Sequence, residues 1–238
     1  MQKRFWEVDF LRAVAVILMI IFHFAYNLKF IGGFNISTRS TFWLYFRTII
    51  APIFLVLVGI SLTLSYSKRH APWLFYLKRG LKIFSWGLVI TIITYLFLAR
   101  GTVLFGILHL IGISIILAYP LIRLRYLNVL FGTLAILLGS WLRQFTINSY
   151  ALIWLGIKPS RFFTLDYFPI FPWFGAVLIG IAIGNVFYKG GARRFRLPNL
   201  ASLPVVREMC FIGRHALFIY IVHFPLLAGV IYLLKVLA

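Results

Sequence analysis

Two residues in the first apolar run are equipped for chemistry. "LRAVAVILMIIFHF", residues 11–24, is nearly all hydrocarbon, yet it carries Arg12 near its start and His23 near its end. Their separation is close to three helical turns, so both project from one face, roughly 16 Å apart along the axis. Asp9 lies three residues before Arg12 on the same side, and Asn27 follows one turn beyond His23. The stripe Asp9–Arg12–His23–Asn27 is polar on an otherwise apolar helix, so it is expected to line a cavity and not to face lipid. Taken singly, Arg12 has a lesser alternative as an interfacial anchor paired with Asp9, and His23 one as a helix–helix hydrogen bond. Their shared face argues against both being so.

Other ionisable residues lie in or beside later apolar runs. His109, in "FGILHLIGIS", is predicted at the same depth as His23, both roughly 8–9 Å below one boundary, where the rings could meet across a cavity. Asp166, in "TLDYFPIFPWFG", sits at the mouth of the sixth run; it could orient a histidine, bind a substrate, serve as a helix N-terminal charge or pair with Arg161. His223, in "IYIVHFPLL", falls near the middle of the last run, and Arg214 and His215 nearer its inner end, where an anionic ligand or headgroups could meet them. His70 lies in a basic loop and reads as solvated. There is no glycine-rich phosphate loop, GxSxG or HExxH. Two histidines and a distant aspartate make a weak zinc site, and no metal is expected.

This set suits a long anionic ligand with its phosphates near Arg12 and its reactive end near His23. Arginine stays charged and grips phosphate with a bidentate fork. Neutral imidazole suits a general base. The pairing suggests acyl transfer from a phosphate-bearing thioester to a hydroxyl or amine: the base deprotonates the acceptor, which attacks the thioester carbonyl.

The elements that must position these residues follow from composition. The chain has 238 residues, 63% hydrophobic and 12% charged. A helical membrane span takes about 20 apolar residues. Seven runs qualify, near 8–28, 42–66, 76–98, 103–119, 126–142, 169–188 and 211–234. They leave no room for a large extramembrane domain, so residues 1–238 read as one all-α polytopic bundle of about seven transmembrane helices. The runs are continuous and not alternating, which excludes a barrel. The formal charge of +20 collects at run ends, which argues against a nucleic-acid partner. With the N-terminus cytoplasmic, sixteen of the 24 Lys and Arg residues, Lys3 among them, fall inside, and eight, including Arg39 and Arg100, fall outside. That excess predicts N-terminus in, C-terminus out, with membrane lipids as partners of the inner basic surface. The first run has Glu7 and Asp9 after its basic start and no small-residue cleavage site, so it reads as a retained helix. The lone cysteine, Cys210, excludes an internal disulfide and reads as filler.

Two connections are long. Residues 143–168 lie outside and contain "ALIWLGI", too short to span and better suited to an interfacial or re-entrant piece. Residues 189–208 form a basic inner loop broken by proline and glycine. "PWLFYLKRGLK", before the third run, is a basic amphipathic approach at the inner interface.

"VDFLRAVAVILMIIFHF" resembles the first-helix signature of membrane acyltransferases, an arginine followed by ten residues and a histidine. More closely, the chain is similar to the catalytic domain of the heparan-alpha-glucosaminide N-acetyltransferase family in a compact prokaryotic form. The supporting stretches are "APIFLVLVGISL" (51–62), "FGILHLIGIS" (105–114), "DYFPIFPWFG" (166–175) and "GRHALFIYIVHFP" (213–225). The resemblance implies a mostly helical fold, acetyl-CoA as donor, transmembrane acetylation, a CoA-contacting arginine at Arg12 and a polar active-site group at His23. Lysosomal relatives carry an amide at the position matching His23 and their essential histidine in the following loop. The loop here, "KFIGGFNISTRS", has no histidine, so under this resemblance His23 is the better candidate for the base, and a heparan acceptor is not implied. The reading is an acetyl-CoA-dependent acyltransferase of the plasma membrane, acting on a sugar, glycan or lipid-headgroup acceptor. His23, His109 and Asp166 are its catalytic set; Arg12, Asp9, Arg214 and His215 face the CoA thioester; Asn27, Trp173 and His223 face the acceptor. A homodimer would fit such a bundle. The alternative is a transporter or proton relay built on the same intramembrane Arg and His residues.

Overall fold

The computed structural model describes residues 4–35, 37–38, 40–97 and 101–237; Lys3, Arg39 and Arg100 of the charge count lie outside them. Among the described residues there are eight α-helices: α1 Trp6–Phe30, α2 Thr41–Arg69, α3 Trp73–Phe97, α4 Ile107–Ile122, α5 Asn128–Leu142, α6 Ile170–Phe187, α7 Pro204–Arg214 and α8 Ala216–Leu237. Among the described residues strand-like pairing is confined to two isolated bridges, Phe105 with Tyr167 and Thr146 with Lys158. Six helices (α1, α2, α3, α5 with its preceding turn, α6 and α8) are long and apolar enough to cross a membrane, and α4 is a shorter apolar helix. The expected all-helical integral membrane fold of about seven spans is the one found.

The elements follow from local sequence. α1 contains neither glycine nor proline, carries Glu7 and Asp9 where the N-terminal dipole favours negative charge, and ends just before Gly32 and Gly33. Two boundaries differ from the apolar runs. α4 starts at Ile107, so His109 occupies its first turn and does not lie about six residues into the helix. The preceding residues bond elsewhere: the amide of Phe168 donates to the Phe105 carbonyl (2.8 Å), that of Leu165 to Gly101 (3.2 Å), and that of Val103 to Thr94 Oγ1 (3.0 Å). The last run splits at His215. Its first part belongs to α7, which starts inside the expected loop 189–208 with proline at its first position. α7 is amphipathic, with Val206, Cys210 and Gly213 buried and Val205, Phe211 and Arg214 exposed, whereas α8 is apolar on all sides.

The chain divides into two compact units, one formed by residues up to Phe54 and from Leu197, the other by Leu55–Arg196. In the first unit α1 packs along both α7 and α8. The Cys210 thiol reaches the Trp6 carbonyl (3.3 Å), Arg12 Nη1 reaches Gly213 O (3.4 Å), the rings of His23 and His223 meet, and Lys235 Nζ donates to Ile31 O (3.2 Å). Partners rise together along both segments, so α1 runs parallel to the α7–α8 stretch. A Cβ at Gly213 would run into the Asp9 carbonyl, so only glycine lets α7 lie backbone to backbone on α1 here.

In the second unit the helices also meet at small residues, as expected where lipid supplies no hydrophobic drive between helices. α3 crosses α4 at Gly80 and Gly112, α5 crosses α6 at Gly132 and Gly175, and α2 meets α6 where Gly59 abuts the backbone of Val177–Ile181. Thr63, on the same α2 face, donates to the Ile181 carbonyl (3.2 Å).

Candidate active site

In the first unit the four residues of the expected stripe all lie on α1, and specific bonds hold three of them. Asp9 is buried near the start of α1, and its Oδ1 takes a 2.7 Å ion pair from Arg12 Nη1. The guanidinium is thereby oriented between its own helix and the Gly213 carbonyl of α7.

Three turns on, His23 sits half-buried with Nδ1 2.9 Å from the Met19 carbonyl of the preceding turn. A carbonyl only accepts, so Nδ1 carries the hydrogen and Nε2 of the neutral ring holds the lone pair. His223 repeats the arrangement on α8: Nδ1 is 2.6 Å from Tyr220 O, while Nε2 is buried with no hydrogen-bond partner. The two rings stand edge to face, centroids 4.8 Å apart, with Phe224 beside His23 at 6.0 Å. Asn27, one turn past His23, is 1% exposed and its Nδ2 is likewise unpartnered. Buried polar atoms are normally paired; Nε2 of His223 and Nδ2 of Asn27 share their unpartnered state with Trp6 Nε1, Tyr76 Oη, Ser114 Oγ and Asn128 Oδ1 among the described residues. Arg214 and His215 are exposed at the α7–α8 junction, with Arg214 Nε donating to Cys210 O (3.0 Å) and His215 Nδ1 to Phe211 O (2.9 Å). Burial, reinforced by the nearby Asp9, pushes the Cys210 thiol up, away from nucleophile chemistry.

The other predicted residues lie in the second unit. His109 is 2% exposed, between the rings of Phe84 and Phe105. Its Nδ1 accepts from the Gly106 amide (3.2 Å), and its Nε2 lies 3.4 Å from the Thr91 hydroxyl. Gly87 makes room for it: a Cβ there would come within 2.9 Å of the His109 Nδ1. Asp166 Oδ2 accepts from the Ile107 amide (3.0 Å), so this carboxylate from the 143–169 connection caps the N-terminus of α4. Trp173, in the first turn of α6, is half-buried against Phe168, centroids 5.0 Å apart. "ALIWLGI" forms successive turns and no helix; they are held by Tyr167, whose hydroxyl donates to Ile153 O (2.7 Å). Among the described residues no three His, Cys, Asp or Glu side chains gather as a metal site.

Helical periodicity showed which face of α1 is polar, but not what it meets. The His23 ring meets that of His223, 200 residues away, and nothing local to either residue encodes that. Gly213 was also missed as a determinant of Arg12 position. Its signal is visible in hindsight: a lone glycine on the buried side of the amphipathic "VVREMCFIGR".

No curated protein and no solved structure matches the chain. The family described as heparan-alpha-glucosaminide N-acetyltransferase, catalytic, matches residues 4–225, which takes in α1 through most of α8's first half and every candidate site residue above. The chain therefore belongs to the heparan-alpha-glucosaminide N-acetyltransferase catalytic-domain family and is, by that membership, a transferase embedded in a membrane.

Proposed function

We propose that the protein moves an acetyl group from cytoplasmic acetyl-CoA to a hydroxyl or amine of a sugar, glycan or lipid headgroup at the outer face of the plasma membrane. The observation that carries this reading is the His23–His223 pair, with each Nδ1–H given to a helix carbonyl and each Nε2 left as a lone pair. In the proposed step Nε2 of His23 takes the acceptor's proton as its oxygen or nitrogen attacks the thioester carbonyl. The carbon–sulfur bond breaks, and the proton passes from His23 to the departing CoA thiolate. Nε2 of His223 and the Asn27 amide hold the acceptor's polar groups. Arg12, steadied by Asp9, contributes to holding the donor's phosphates. The two-to-one excess of Lys and Arg supports an N-terminus in the cytoplasm, where CoA is available. His109 and Asp166 are assigned a positioning part, since their described bonds fix the opening turn of α4. Trp173 is assigned to the acceptor side.

The test is purified protein with labelled acetyl-CoA and a panel of sugar, glycan and lipid acceptors. Removing a general base typically costs 10²–10⁴ in rate, so His23→Ala should lose roughly a hundredfold or more of turnover. CoA should still raise its melting temperature by mass action. Full turnover in that variant removes His23 from the mechanism. Absence of any CoA-dependent stabilisation in the native protein favours the transporter or proton-relay alternative.

A further inference from the structure

The second unit carries a basin whose lining includes none of the residues assigned to acyl transfer. It encloses 390 Å³ where the end of α2, the α4–α5 turn and the end of α6 come together. Its floor is the buried Thr63 and Ile122 with Asn185, and its rim carries Arg123, Arg125 and Lys189. No carboxylate lines it. The chain has four acidic residues, and the only one in this unit is Asp166, which caps the opposite end of α4, about 24 Å away along the helix. The rim cations therefore have no acidic partner within their own unit.

The backbone of the basin is built under constraint. Among the described residues only two outside glycine have positive φ, His70 (42°) and Arg125 (46°), and both line it. L side chains seldom adopt that conformation, and such positions gather where a site is held in shape. Arg125 is pinned by the buried Asn128, whose Nδ2 donates to Leu121 O (2.8 Å) and Arg125 O (3.0 Å). Arg123 is aimed by a 3.0 Å bond from its Nε to the Tyr66 hydroxyl and by a side-chain bond to Tyr119. Tyr66 and Tyr126 add aromatic walls.

We infer that this basin binds a ligand bearing phosphate esters, gripped by Arg123, Arg125 and Lys189 and set against Tyr66 and Tyr126. Guanidinium forks match phosphate oxygens, and the volume fits a small organic ligand. The same chemistry is offered by the phosphorylated nucleotide of a CoA-type donor and by a phospholipid headgroup, since the basin lies where the spans α2 and α6 end and α5 begins. The inference does not depend on His23 chemistry.

The test uses full-length protein in detergent, titrated with adenosine 3′,5′-bisphosphate, and the same protein in nanodiscs of phosphatidylcholine with or without phosphatidylglycerol. Arg125→Gly removes the cation while relieving the positive φ, so its melting temperature should equal or exceed that of the native protein. Lys189→Gln removes a second cation at an exposed site. Each should weaken binding roughly tenfold or more, as expected for a charge-assisted bond. Bisphosphate binding that both variants weaken establishes the basin with a nucleotide ligand. A phosphatidylglycerol-dependent rise in melting temperature that both variants abolish, without bisphosphate binding, establishes it with a lipid ligand. If neither response exists, or both survive in the two variants, the basin proposal is overturned, whatever the rate of acyl transfer. Loss of transfer in His23→Ala is read independently of all these outcomes.

Discussion

Replacing Gly213 with alanine tests whether the α1–α7 contact sets the position of Arg12. The added methyl would overlap the Asp9 carbonyl and come within 3.2 Å of the Ala13 amide nitrogen. Both obstacles are backbone of a packed helix, so no side-chain rotation relieves them; α7 must move away from α1. Overpacking of this kind costs about 1–3 kcal/mol, and the rigidity of the obstacle places Gly213→Ala at the upper end, about 3 kcal/mol. The displacement also breaks the 3.4 Å bond from Arg12 to the Gly213 carbonyl. At about 2–4 °C per kcal/mol for a chain of this size, the melting temperature should fall by roughly 6–12 °C. Gly229→Ala is the matched control: it lies on α8 with nothing within 4 Å of the added methyl. Alanine there gains helix propensity of up to about 1 kcal/mol, so stability should hold or rise. Tryptophan-fluorescence melts of both variants in one detergent, with and without CoA, give the comparison. Gly213→Ala should also show a smaller CoA-induced shift, because its arginine is no longer oriented. Equal melting temperatures for the two variants would refute the close backbone approach, and with it the account of how Arg12 is held.

Further expectations address single groups. His223→Gln keeps a polar terminus but not the lone pair on a ring nitrogen; turnover should fall through a raised acceptor KM, and an unchanged KM would remove His223 from acceptor binding. Asp166→Asn can still accept the Ile107 amide, so stability should change by less than the roughly 1 kcal/mol of a lost cap, with kcat nearly unchanged; a hundredfold loss of kcat would make Asp166 catalytic and not positioning. Gly87→Ala should push the His109 ring aside and lower the melting temperature, and a crystal structure with the ring unmoved would contradict that packing. Burial pushes the Tyr167 hydroxyl up to about 12. The unfolded phenol ionises near 10, so its stabilising contribution is complete below about pH 10 and is lost as pH rises through about 12. Alkaline melts should show that loss in the native protein and a reduced one in Tyr167→Phe.

The spans were legible because each lipid-crossing helix must satisfy its own backbone within one apolar segment. α1, α2 and α3 could be placed to within a few residues on hydropathy alone. Hydropathy failed where the backbone found other partners. Val103–Gly106 is apolar enough to extend α4, but it bonds to Thr94 and to the 165–168 segment instead. The α7–α8 break was hidden because "CFIG" continues the apolar run, and the amphipathic character of α7 shows only when the window begins at Pro204. Within the candidate site, the face shared by Asp9, Arg12, His23 and Asn27 follows from helical period, and the Asp9–Arg12 pair from spacing. The meeting of His23 with His223 does not, because it depends on α1 and α8 running side by side in the same direction, a tertiary fact that no local pattern carries. The basic basin was dispersed in the same way, over three turns whose cations read one by one as ordinary interfacial charges.

The same-direction course of α1 and α8 has a practical side. Reporters fused ahead of Arg4 and behind Leu237 should emerge in different aqueous compartments, so a pair of fusions reads out sidedness without proteolysis. Dyes attached at those two sites would be held apart by at least the length of α1, about 37 Å for its 25 residues. Energy transfer between them would then report directly on any tilting or shortening of the helices that carry the two imidazoles.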